Sequence, residues 1–515
     1  MNEIENDWIA QLGAAVKDHV RHRLRRAPAR EVVELERVEA LAREFAVRVY
    51  EATFEAWNAR LEELAIATAG TCTGCGRARK VKRRPAAPMT VKVLGLEVSV
   101  PKLYLECDCG EVGVSITRLL TGLSSGQSSA ELELTAAYCG AQQSYGKASR
   151  DLEAHHGQRI ERTAMRRMAL EVERSGLEFA ESQRRELLEQ VGEERRREGK
   201  PRLMLTGDGG IVRTGALVPC EPGDAGYGKK TPKTGRKRRK REMRYREIIA
   251  LDVREPGEMT ASALDVVVPV TAASEDERSR RMLALAARKG LGDNTEVFGL
   301  GDMGSSLASS FDEAFVGRDP KALYSADWKH TTNYIEAAAS VLDTSQPQRW
   351  TKAMKDAVWN RDRKKVNRLI ASARERRVCD LPSHLDKCPV EALATYLANN
   401  WERLLAKVFK DKGLEWVSAR AESMVRDHIK SRYAVPGAWN EKNLEGKATL
   451  RAIIADGRWP AFRAYYLRSR RHEFAQGLER RLRDAVAEGR IRSDVLPKFG
   501  FYAASPSPEV TAAAA

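Results

Sequence analysis

The spacing of apolar and polar residues divides the chain into helical and strand-rich stretches. Residues 1–68 are predicted to be helical, because apolar side chains recur at helical spacing and residues 34–65 contain no glycine or proline. Helical spacing returns in shorter pieces over residues 128–200, and again from residue 333 to about residue 495. The region between these stretches has a different pattern.

Short apolar runs and helical segments alternate between residues 201 and 332. The runs are RLMLTGDGG, REIIALDV, SALDVVVPV, TEVFGLGDMG and ALYSADW. Strands followed by helices predict an α/β fold, in which helices cover a mixed sheet. We therefore expect a helical region, a cysteine-containing ribbon, a second helical region, a core with a helical insertion, and a disordered tail. Their predicted bounds are 1–68, 69–127, 128–200, 201–332 with 411–500, 333–410 and 501–515.

Four of the eight cysteines form two close pairs, Cys72 with Cys75 and Cys107 with Cys109. The segment between the pairs alternates apolar and polar residues around Gly95, which predicts a β-hairpin. Two close pairs separated by a hairpin are typical of a structural zinc site, so the four thiolates are predicted to bind one Zn²⁺. The alternative is four reduced thiols without a metal.

Positive charge is concentrated in one part of the chain. The 515 residues include 88 Lys and Arg against 72 Asp and Glu, a formal net charge of +16. Nine of the thirteen residues from Lys229 to Arg241 are Lys or Arg. Such a run favours a polyanionic partner, most simply nucleic acid, although a solvated basic loop is the alternative. The predicted phosphate contacts are Lys229, Lys230, Arg236, Lys237, Arg238, Arg239 and Lys240.

The second helical region has the rhythm of a helix-turn-helix. One helix is predicted to end near Gly157, and the next carries Arg159, Arg162, Arg166 and Arg167. A basic second helix of this kind can enter the major groove of DNA. Because the same shape also occurs as ordinary core packing, both interpretations stay open.

Two aspartates stand at the ends of predicted core strands. Asp208 ends the first strand and Asp302 ends the fourth, and small residues after each are expected to leave room for a ligand. These small residues are Gly209, Gly210 and Gly304. Two carboxylates on neighbouring strand ends form a hard-oxygen site for Mg²⁺ or Mn²⁺, and two such ions can promote cleavage of a phosphodiester. Each aspartate taken singly also fits an ordinary Asp-Gly turn.

A series of motifs follows in the last third of the chain. It consists of Glu422-Ser423, Lys430 and Arg432, Gly437 and Trp439, LRA at 450–452 and GRW at 457–459. Upstream stand the Asp208-Gly209 and Asp302 strand ends and the pair Asp327 and His330, spaced D-x-x-H. In these motifs the chain resembles DDE transposases of the bacterial ISKra-type insertion-sequence family, which are akin to Mutator-like transposases. The resemblance extends from the cysteine ribbon to about residue 468.

The resemblance implies both a fold and an activity. The core would be ribonuclease-H-like, with residues 333–410 inserted before the helix that carries Glu422. Asp208, Asp302 and Glu422 would form a catalytic triad with two Mg²⁺ or Mn²⁺ ions. The protein would cut the terminal inverted repeats of its own element and join them to target DNA, as a homo-oligomer on DNA. From its position four residues before Arg426, Glu422 equally fits a surface ion pair.

Further site residues are also implied by the resemblance. His330 would be an auxiliary catalytic residue that contacts the scissile phosphate, although a histidine near a strand end is often a structural hydrogen-bonder. Lys329, Lys430 and Arg432 would contact DNA. Two other functions stay open, namely an inactive or domesticated DNA-binding relative and a metal-dependent nuclease without strand transfer. The family's glycines before the glutamate are replaced here by Val417 and Ala419.

The sequence gives no sign of a membrane or secreted protein. No apolar run approaches the ~20 residues of a membrane span, and acidic residues stand near the N-terminus where a signal peptide needs basic ones. We therefore expect a protein that is not exported, and the resemblance implies a cytoplasmic bacterial protein associated with the nucleoid.

Overall fold

The structure is a computed structural model, and it describes most of the chain. It covers residue 22 and residues 35–501, except 73, 84–87, 111–112, 125, 193–197, 231–234, 259–262, 268–273, 304–305, 318–321, 344, 378–387 and 434–438. The tail predicted to be disordered thus lies almost entirely outside the described residues. Within the described ranges, no helix is both long enough and apolar enough to cross a membrane.

The chain forms two compact units. One comprises the described parts of residues 1–132, 156–158 and 470–515, and the other those of residues 133–155 and 159–469. The helices predicted over 128–200 therefore belong, for the most part, to the same unit as the core sheet.

The first unit contains the cysteine ribbon. Its elements are helix α1 (Leu35–Ala69), strands β1 (Lys80–Arg83), β2 (Met89–Val93), β3 (Leu96–Val100), β4 (Leu103–Glu106) and β5 (Val114–Ser115), and helix α2 (Ile116–Thr121). Strands β2 and β3 form the predicted antiparallel hairpin, which turns at Gly95 with a φ of +82°. Strands β1, β4 and β5 form a separate antiparallel sheet. Ala65, Val100, Leu105 and Leu482 are among the residues of a shared apolar core.

The second unit begins with three helices and continues into the sheet. The helices are α3 (Ala130–Gln142), α4 (Tyr145–His156) and α5 (Arg162–Gly192). The strands are β6 (Arg202–Pro219), β7 (Arg239–Arg254), β8 (Ala263–Val267), β9 (Glu296–Gly301) and β10 (Leu323–Ala326). Helix α6 (Ser274–Arg288) joins β8 to β9, and helix α7 (Leu307–Phe311) lies between β9 and β10.

The five strands form one mixed sheet in the order β10-β9-β6-β7-β8. Strands β6, β9 and β10 run parallel, whereas β7 is antiparallel to both β6 and β8. The first and fourth strands along the chain are therefore neighbours, as a site shared by their end residues requires. All five predicted strands are present in the structure. Strands β6 and β7 are longer than their apolar runs, because they continue together as a two-stranded ribbon past the other strands.

Apolar side chains cover both faces of this sheet. On one face, Leu205 and Leu251 pack with Met282 of α6 and Leu307 of α7. On the other face, Ile248 and a second set of buried residues pack against the chain segment that contains Glu422. The sheet is thus buried between two helical layers, as the alternation of strands and helices predicts.

The rest of the second unit is helical. Its helices are α8 (Trp328–Ala339), α9 (Pro347–Trp359), α10 (Arg363–Arg376), α11 (Pro389–Asn400), α12 (Ala406–Asp411), α13 (Ala419–Met424), α14 (Ser431–Tyr433), α15 (Glu441–Ala455) and the first part of α16 (Trp459–Ala487). From Arg470 onward, α16 belongs to the first unit. A π-helical turn, Val425–Lys430, joins α13 to α14. The stretch predicted to be helical over 333–410 is formed by α8 to α12, with an apolar core of its own around Met354 and Leu393.

Candidate functional site

The four paired cysteines lie together in the first unit. The Sγ atoms of Cys72 and Cys109 are 3.6 Å apart, and those of Cys75 and Cys107 are 3.4 Å apart. All four sulfur atoms lie within 4.8 Å of one another. The turns that hold them are closed by backbone hydrogen bonds, including one of 2.9 Å from the Gly76 N–H to the Cys72 carbonyl. The prediction that both pairs meet at one point is therefore confirmed.

This arrangement fits a zinc ion. Thiolates that bind zinc at ~2.3 Å in a tetrahedron lie roughly 3.8 Å from one another, close to the two sulfur–sulfur distances in the cluster. The Arg77 backbone, followed by the neighbouring Cys107 thiol, lowers the pKa of Cys75 to about 7, which favours the thiolate that binds metal. The four cysteines form a cluster that can bind a metal such as zinc.

The two predicted aspartates stand on neighbouring parallel strands. Gly207 of β6 is paired with Gly301 of β9, so Asp208 and Asp302 each follow one member of a cross-strand pair. His330, in the first turn of α8, places Nδ1 3.9 Å from Oδ1 of Asp302, and both side chains are one-third exposed. The sheet topology thus brings together three residues that lie far apart in the sequence.

The environment of Asp208 reflects the charges around it. Burial raises the pKa of Asp208, and the nearby carboxylate of Asp302 adds to the increase. The Gly209 N–H, which donates a 2.7 Å hydrogen bond to Asp208 Oδ1, opposes the increase, as do the positive charges of His330 and Lys430. A buried carboxylate whose ionisation is disfavoured by a neighbouring acid forms a site that a cation would stabilise.

A third acidic residue at this site, Glu247 of β7, was not predicted. Its side chain lies over Gly209, and a Cβ there would overlap the Glu247 carboxylate. Burial raises the pKa of Glu247, Arg278 lowers it, and Asp208 and Asp302 raise it further, so the three acids share one electrostatic environment. Glu247 is one of three acidic residues in β7, with Glu242 and Asp252. Its position near Gly209 became known only from the pairing of β6 and β7.

The glycines after Asp208 have a different role from the one predicted. A Cβ on Gly210 would lie 2.9 Å from Ile429 and 3.2 Å from Val425, which belong to the π-helical turn. Glu247 occupies the corresponding space at Gly209. The expectation that these glycines leave room for a ligand is therefore wrong, because protein side chains fill that room. Gly304, the third small residue of the prediction, lies outside the described residues.

Glu422 is exposed on α13, the helix that packs over β6 and β7. Ala421 and Val425 face the sheet, whereas Glu422 lies on one flank of the helix. Ser418 lies one turn before Glu422 on the same flank and donates a hydrogen bond to Asp327. Lys430, two turns after Glu422, lowers the pKa of Asp208.

The alternative ion pair of Glu422 is not formed. Arg426 binds its neighbour Asp427 instead, with Nε 2.8 Å from Oδ1. The Glu422 carboxylate has no hydrogen-bond or ion-pair partner among the described residues. It also does not reach the two aspartates at metal-ligand spacing, since, within the described chain, only the cysteine sulfurs form a set lying within 4.8 Å of one another.

Buried polar contacts hold the segment before Glu422 in place. Asp327, which is fully buried, accepts hydrogen bonds from the Lys329 N–H at 2.8 Å and from the Ser418 hydroxyl. Arg254, also fully buried, binds Asp252 on its own strand, and its Nη2 lies 2.5 Å from Oε2 of Glu415. These contacts tie the chain before α13 to two places on the sheet. Asp327 of the D-x-x-H pair therefore acts as a structural anchor for the Glu422 helix.

The predicted basic run lies at the end of the two-stranded ribbon. We call residues 211–247 the basic arm; it contains twelve Lys and Arg against four acidic residues, half of the net charge of the chain. Six of the seven predicted phosphate contacts are exposed, and Lys240 is half-buried beside Asp224 at 2.9 Å. The exposed residues are Lys229, Lys230, Arg236, Lys237, Arg238 and Arg239.

Arg432 does not fit its predicted contact with nucleic acid. Its side chain is only 5% exposed, its Nη2 donates a 2.9 Å hydrogen bond to the Gly140 carbonyl, and its guanidinium lies 4.6 Å from the centre of the Trp439 ring. A guanidinium held in this way is not available to a phosphate, so its role is corrected to packing. Lys430 is exposed, and Lys329 lies beside the site at the start of α8.

The basic start of α5 also matches its prediction in part. Helix α4 ends before Gly157, which adopts a φ of +65°, and Arg159, Arg162, Arg166 and Arg167 are exposed. These side chains are accessible to a partner, while the later part of α5 packs against α15.

Comparisons with known proteins do not identify a family. No protein-family model matches the chain, and no curated protein sequence matches it.

Proposed function

We propose that this protein is a DDE transposase, which cuts the ends of an insertion sequence and joins them to target DNA. The observation that carries the proposal is that Asp208 and Asp302 stand beside each other, each directly after one member of the Gly207–Gly301 pair of the parallel strands β6 and β9. The helix that carries Glu422 packs over β6 and β7. We also propose that the sheet is a ribonuclease-H-like core. The adjacency of the first and fourth strands supports this, as does the helical segment between the last strand and the Glu422 helix.

In this proposal Asp208, Asp302 and Glu422 hold two Mg²⁺ or Mn²⁺ ions. The donors fit such ions, because these are hard cations that prefer carboxylate oxygens, and the mutual repulsion of Asp208 and Asp302 is relieved by positive charge. When bound, the ions would activate the attacking oxygen and stabilise the leaving oxygen of the phosphodiester. Glu247 would add negative charge at the same place.

The residues around the acids would position the DNA. His330 lies 3.9 Å from Asp302 and would contact the scissile phosphate as an auxiliary catalytic residue. Lys430 and Lys329 would hold neighbouring phosphates, and the basic arm would bind the duplex farther away. DNA strands would be the partners, both as terminal inverted repeats and as target, with the protein assembled as a homo-oligomer. The protein would act in the bacterial cytoplasm at the nucleoid.

The test is a cleavage and joining assay with DNA that carries the terminal sequences flanking the gene, in the presence of Mg²⁺. We expect Asp208→Asn, Asp302→Asn and Glu422→Gln each to reduce cleavage to background while DNA binding is nearly unchanged. Each change removes the charge of a ligand but little volume. The losses should be non-additive, because one missing ligand disables the site. The matched control is Glu402→Gln, an exposed acid that pairs with Arg361 in the helical insertion.

The assay separates the proposal from its alternatives. Wild-type protein that binds the ends but cleaves none of them would be a non-catalytic DNA-binding relative. Cleavage without joining would identify a metal-dependent nuclease. If Glu422→Gln cleaves normally while the two aspartate variants do not, Glu422 is not the third ligand.

A further inference from the structure

The basic arm has two faces of different character. Along β6 from Ile211 to Pro219, exposed residues alternate with residues that are buried or half-buried, except that Gly215 is buried where the alternation calls for an exposed residue. Val212 and Thr214 point inward and are no more than 1% exposed. Cross-strand partners in an antiparallel pair lie on the same face, so the register of β6 and β7 defines the residues of the outward face.

The outward face combines apolar side chains with arginines. Its cross-strand pairs are Ile211 with Glu247, Arg213 with Tyr245, Gly215 with Met243, Leu217 with Arg241, and Pro219 with Arg239. We call these ten residues the outward face. Its large apolar side chains are unusually exposed, at 70% for Ile211, 53% for Leu217, 38% for Met243 and 68% for Tyr245. Single exposed apolar residues are common, but four on one side of a short ribbon indicate a contact surface.

The arm is held firmly at its base. The Gly215 N–H donates a 2.8 Å hydrogen bond to the Trp439 carbonyl, and the Trp439 N–H donates one of 3.0 Å to the Arg213 carbonyl. Arg432 packs on the Trp439 ring. These contacts extend the sheet edge along β6 and leave the outward face uncovered by the described residues.

We propose that the outward face docks in the major groove of duplex DNA, a role that rests on the proposed function and adds to it. Two strands, ~4.8 Å apart, fit a groove about 12 Å wide that accepts a β-ribbon. Arginines can bond guanine edges there, and apolar side chains can contact the methyl groups of thymine. The net charge of the arm favours a polyanion and disfavours a second copy of the same arm.

Strand β6 fixes where this contact falls relative to the acids. The eleven residue-to-residue steps from Asp208 to Pro219 span about 37 Å at the rise of an antiparallel strand, roughly one turn of B-DNA. The outward face would therefore hold the duplex within about one helical turn of the scissile phosphate. Because one strand carries both the acid and the arm, the arm would set the position of the cut.

The test measures binding to a mixed-sequence 40-bp duplex over a range of salt concentrations. Leu217→Ser with Tyr245→Ser should weaken binding about tenfold, an effect expected when one or two side chains no longer reach the base edges. The slope of log K against log salt should stay unchanged, because no charge is removed. The matched control is Ile66→Ser with Phe474→Ser, which removes equally exposed apolar side chains outside the arm.

A second duplex, whose cytosines carry glucosylated 5-hydroxymethyl groups that fill the major groove, tests the groove itself. Wild-type protein should bind it about tenfold more weakly than the unmodified duplex, and the double variant should not distinguish the two. Equal binding of both duplexes by the wild type would overturn the proposal. So would a double variant that binds DNA normally but loses self-association or binding to anionic vesicles.

The same variants separate this inference from the proposed function. If the double variant binds like wild type and the Asp208→Asn variant loses cleavage, the arm proposal fails and the transposase proposal stands. If wild-type protein binds no duplex at all, both fail.

Discussion

A buried Lys–Glu pair gives the sharpest test of the packing in the second unit. Lys447 of α15 lies with Nζ 2.5 Å from Oε1 of Glu173 on α5, and the two side chains are 5% and 4% exposed. Lys447 also donates to the Tyr145 hydroxyl. Burial lowers the pKa of Lys447 to about 7, and burial raises the pKa of Glu173 to about 8. If either group were buried without the other, burial would disfavour its charged form.

Together the two groups add almost no pH dependence to the stability of the wild-type protein. From about pH 4.5 to 10.5, the ordinary pKa values of Glu and Lys, the pair holds one proton in the unfolded chain. The pKa shifts given above come from burial and do not include the contact between the two groups. In the folded protein that contact favours one shared proton, either as an ion pair or as a neutral pair. The free energy of unfolding changes with pH only when the folded and unfolded states bind different numbers of protons. This pair therefore adds no pH dependence to stability over that range.

In the Lys447→Met variant, stability should depend on pH because Glu173 then titrates without its partner. Its folded pKa of about 8 lies above the unfolded value of 4.5, so the folded state binds the proton more tightly and stability falls as pH rises between these values. At about 1.4 kcal/mol per pH unit, the loss at pH 7 is about 3 kcal/mol relative to pH 4.5. That agrees with the ~3–5 kcal/mol cost of breaking a buried pair.

Glu173→Gln should have the opposite dependence. The folded pKa of Lys447, about 7, lies below the unfolded value of 10.5, so stability should rise with pH between those values. Urea unfolding at pH 5.5, 7 and 8.5 measures both slopes, and Lys447→Met with Glu173→Gln is the control that removes both charges. Slopes of the same sign in the two single variants would refute the reasoning, as would a steep slope in the double variant.

Three other properties are expected. Purified protein should contain one zinc per chain; Cys72→Ser should lose it and Cys388→Ser should not, and metal analysis that finds no zinc in wild type would remove the assignment. Deleting residues 229–241 should reduce the slope of log K against log salt by about 0.9 for each phosphate that the run neutralises, whereas an unchanged slope would indicate a solvated loop. Ser418→Ala should destabilise the protein by about 1.5–3 kcal/mol in chemical unfolding, since it removes the hydroxyl that binds the buried Asp327; a change below 0.5 kcal/mol would contradict this.

Local patterns were enough to place the strands and the two aspartates. The apolar runs ending at Asp208 and Asp302 are short, and the structure has both as parallel strands of the sheet. Both cysteine pairs were equally visible, because their spacing and the hairpin between them are local features. The length of the basic arm could not be predicted in the same way. Arginines interrupt the apolar–polar alternation in the part of the ribbon that extends past the other strands.

The roles of residues that depend on partners far away in the chain could not be predicted from the sequence. Arg432 is basic and stands in a basic motif, yet its partner is the carbonyl of Gly140, 292 residues away. Glu247 acquires its place beside Asp208 only through the register of two strands. Nothing in the sequence around Ser418 indicates a special role. Its hydrogen bond to Asp327 forms only because the fold brings the two residues together. In each case the deciding contact is tertiary, and nothing in the neighbouring sequence indicates it.

The motifs that carry the family resemblance serve the position of Glu422 more than its chemistry. Trp439 extends the edge of β6, and Arg432 packs on its ring. Arg451 donates to the carbonyls of Ala141 and Asp427, which joins α15 both to α3 and to the π-helical turn after Glu422. These ties fix the orientation of the helix that carries Glu422, because its own buried residues fix only its depth. The spacing of these motifs therefore follows from packing around one helix, and the acid it presents is the residue on which the proposed activity depends.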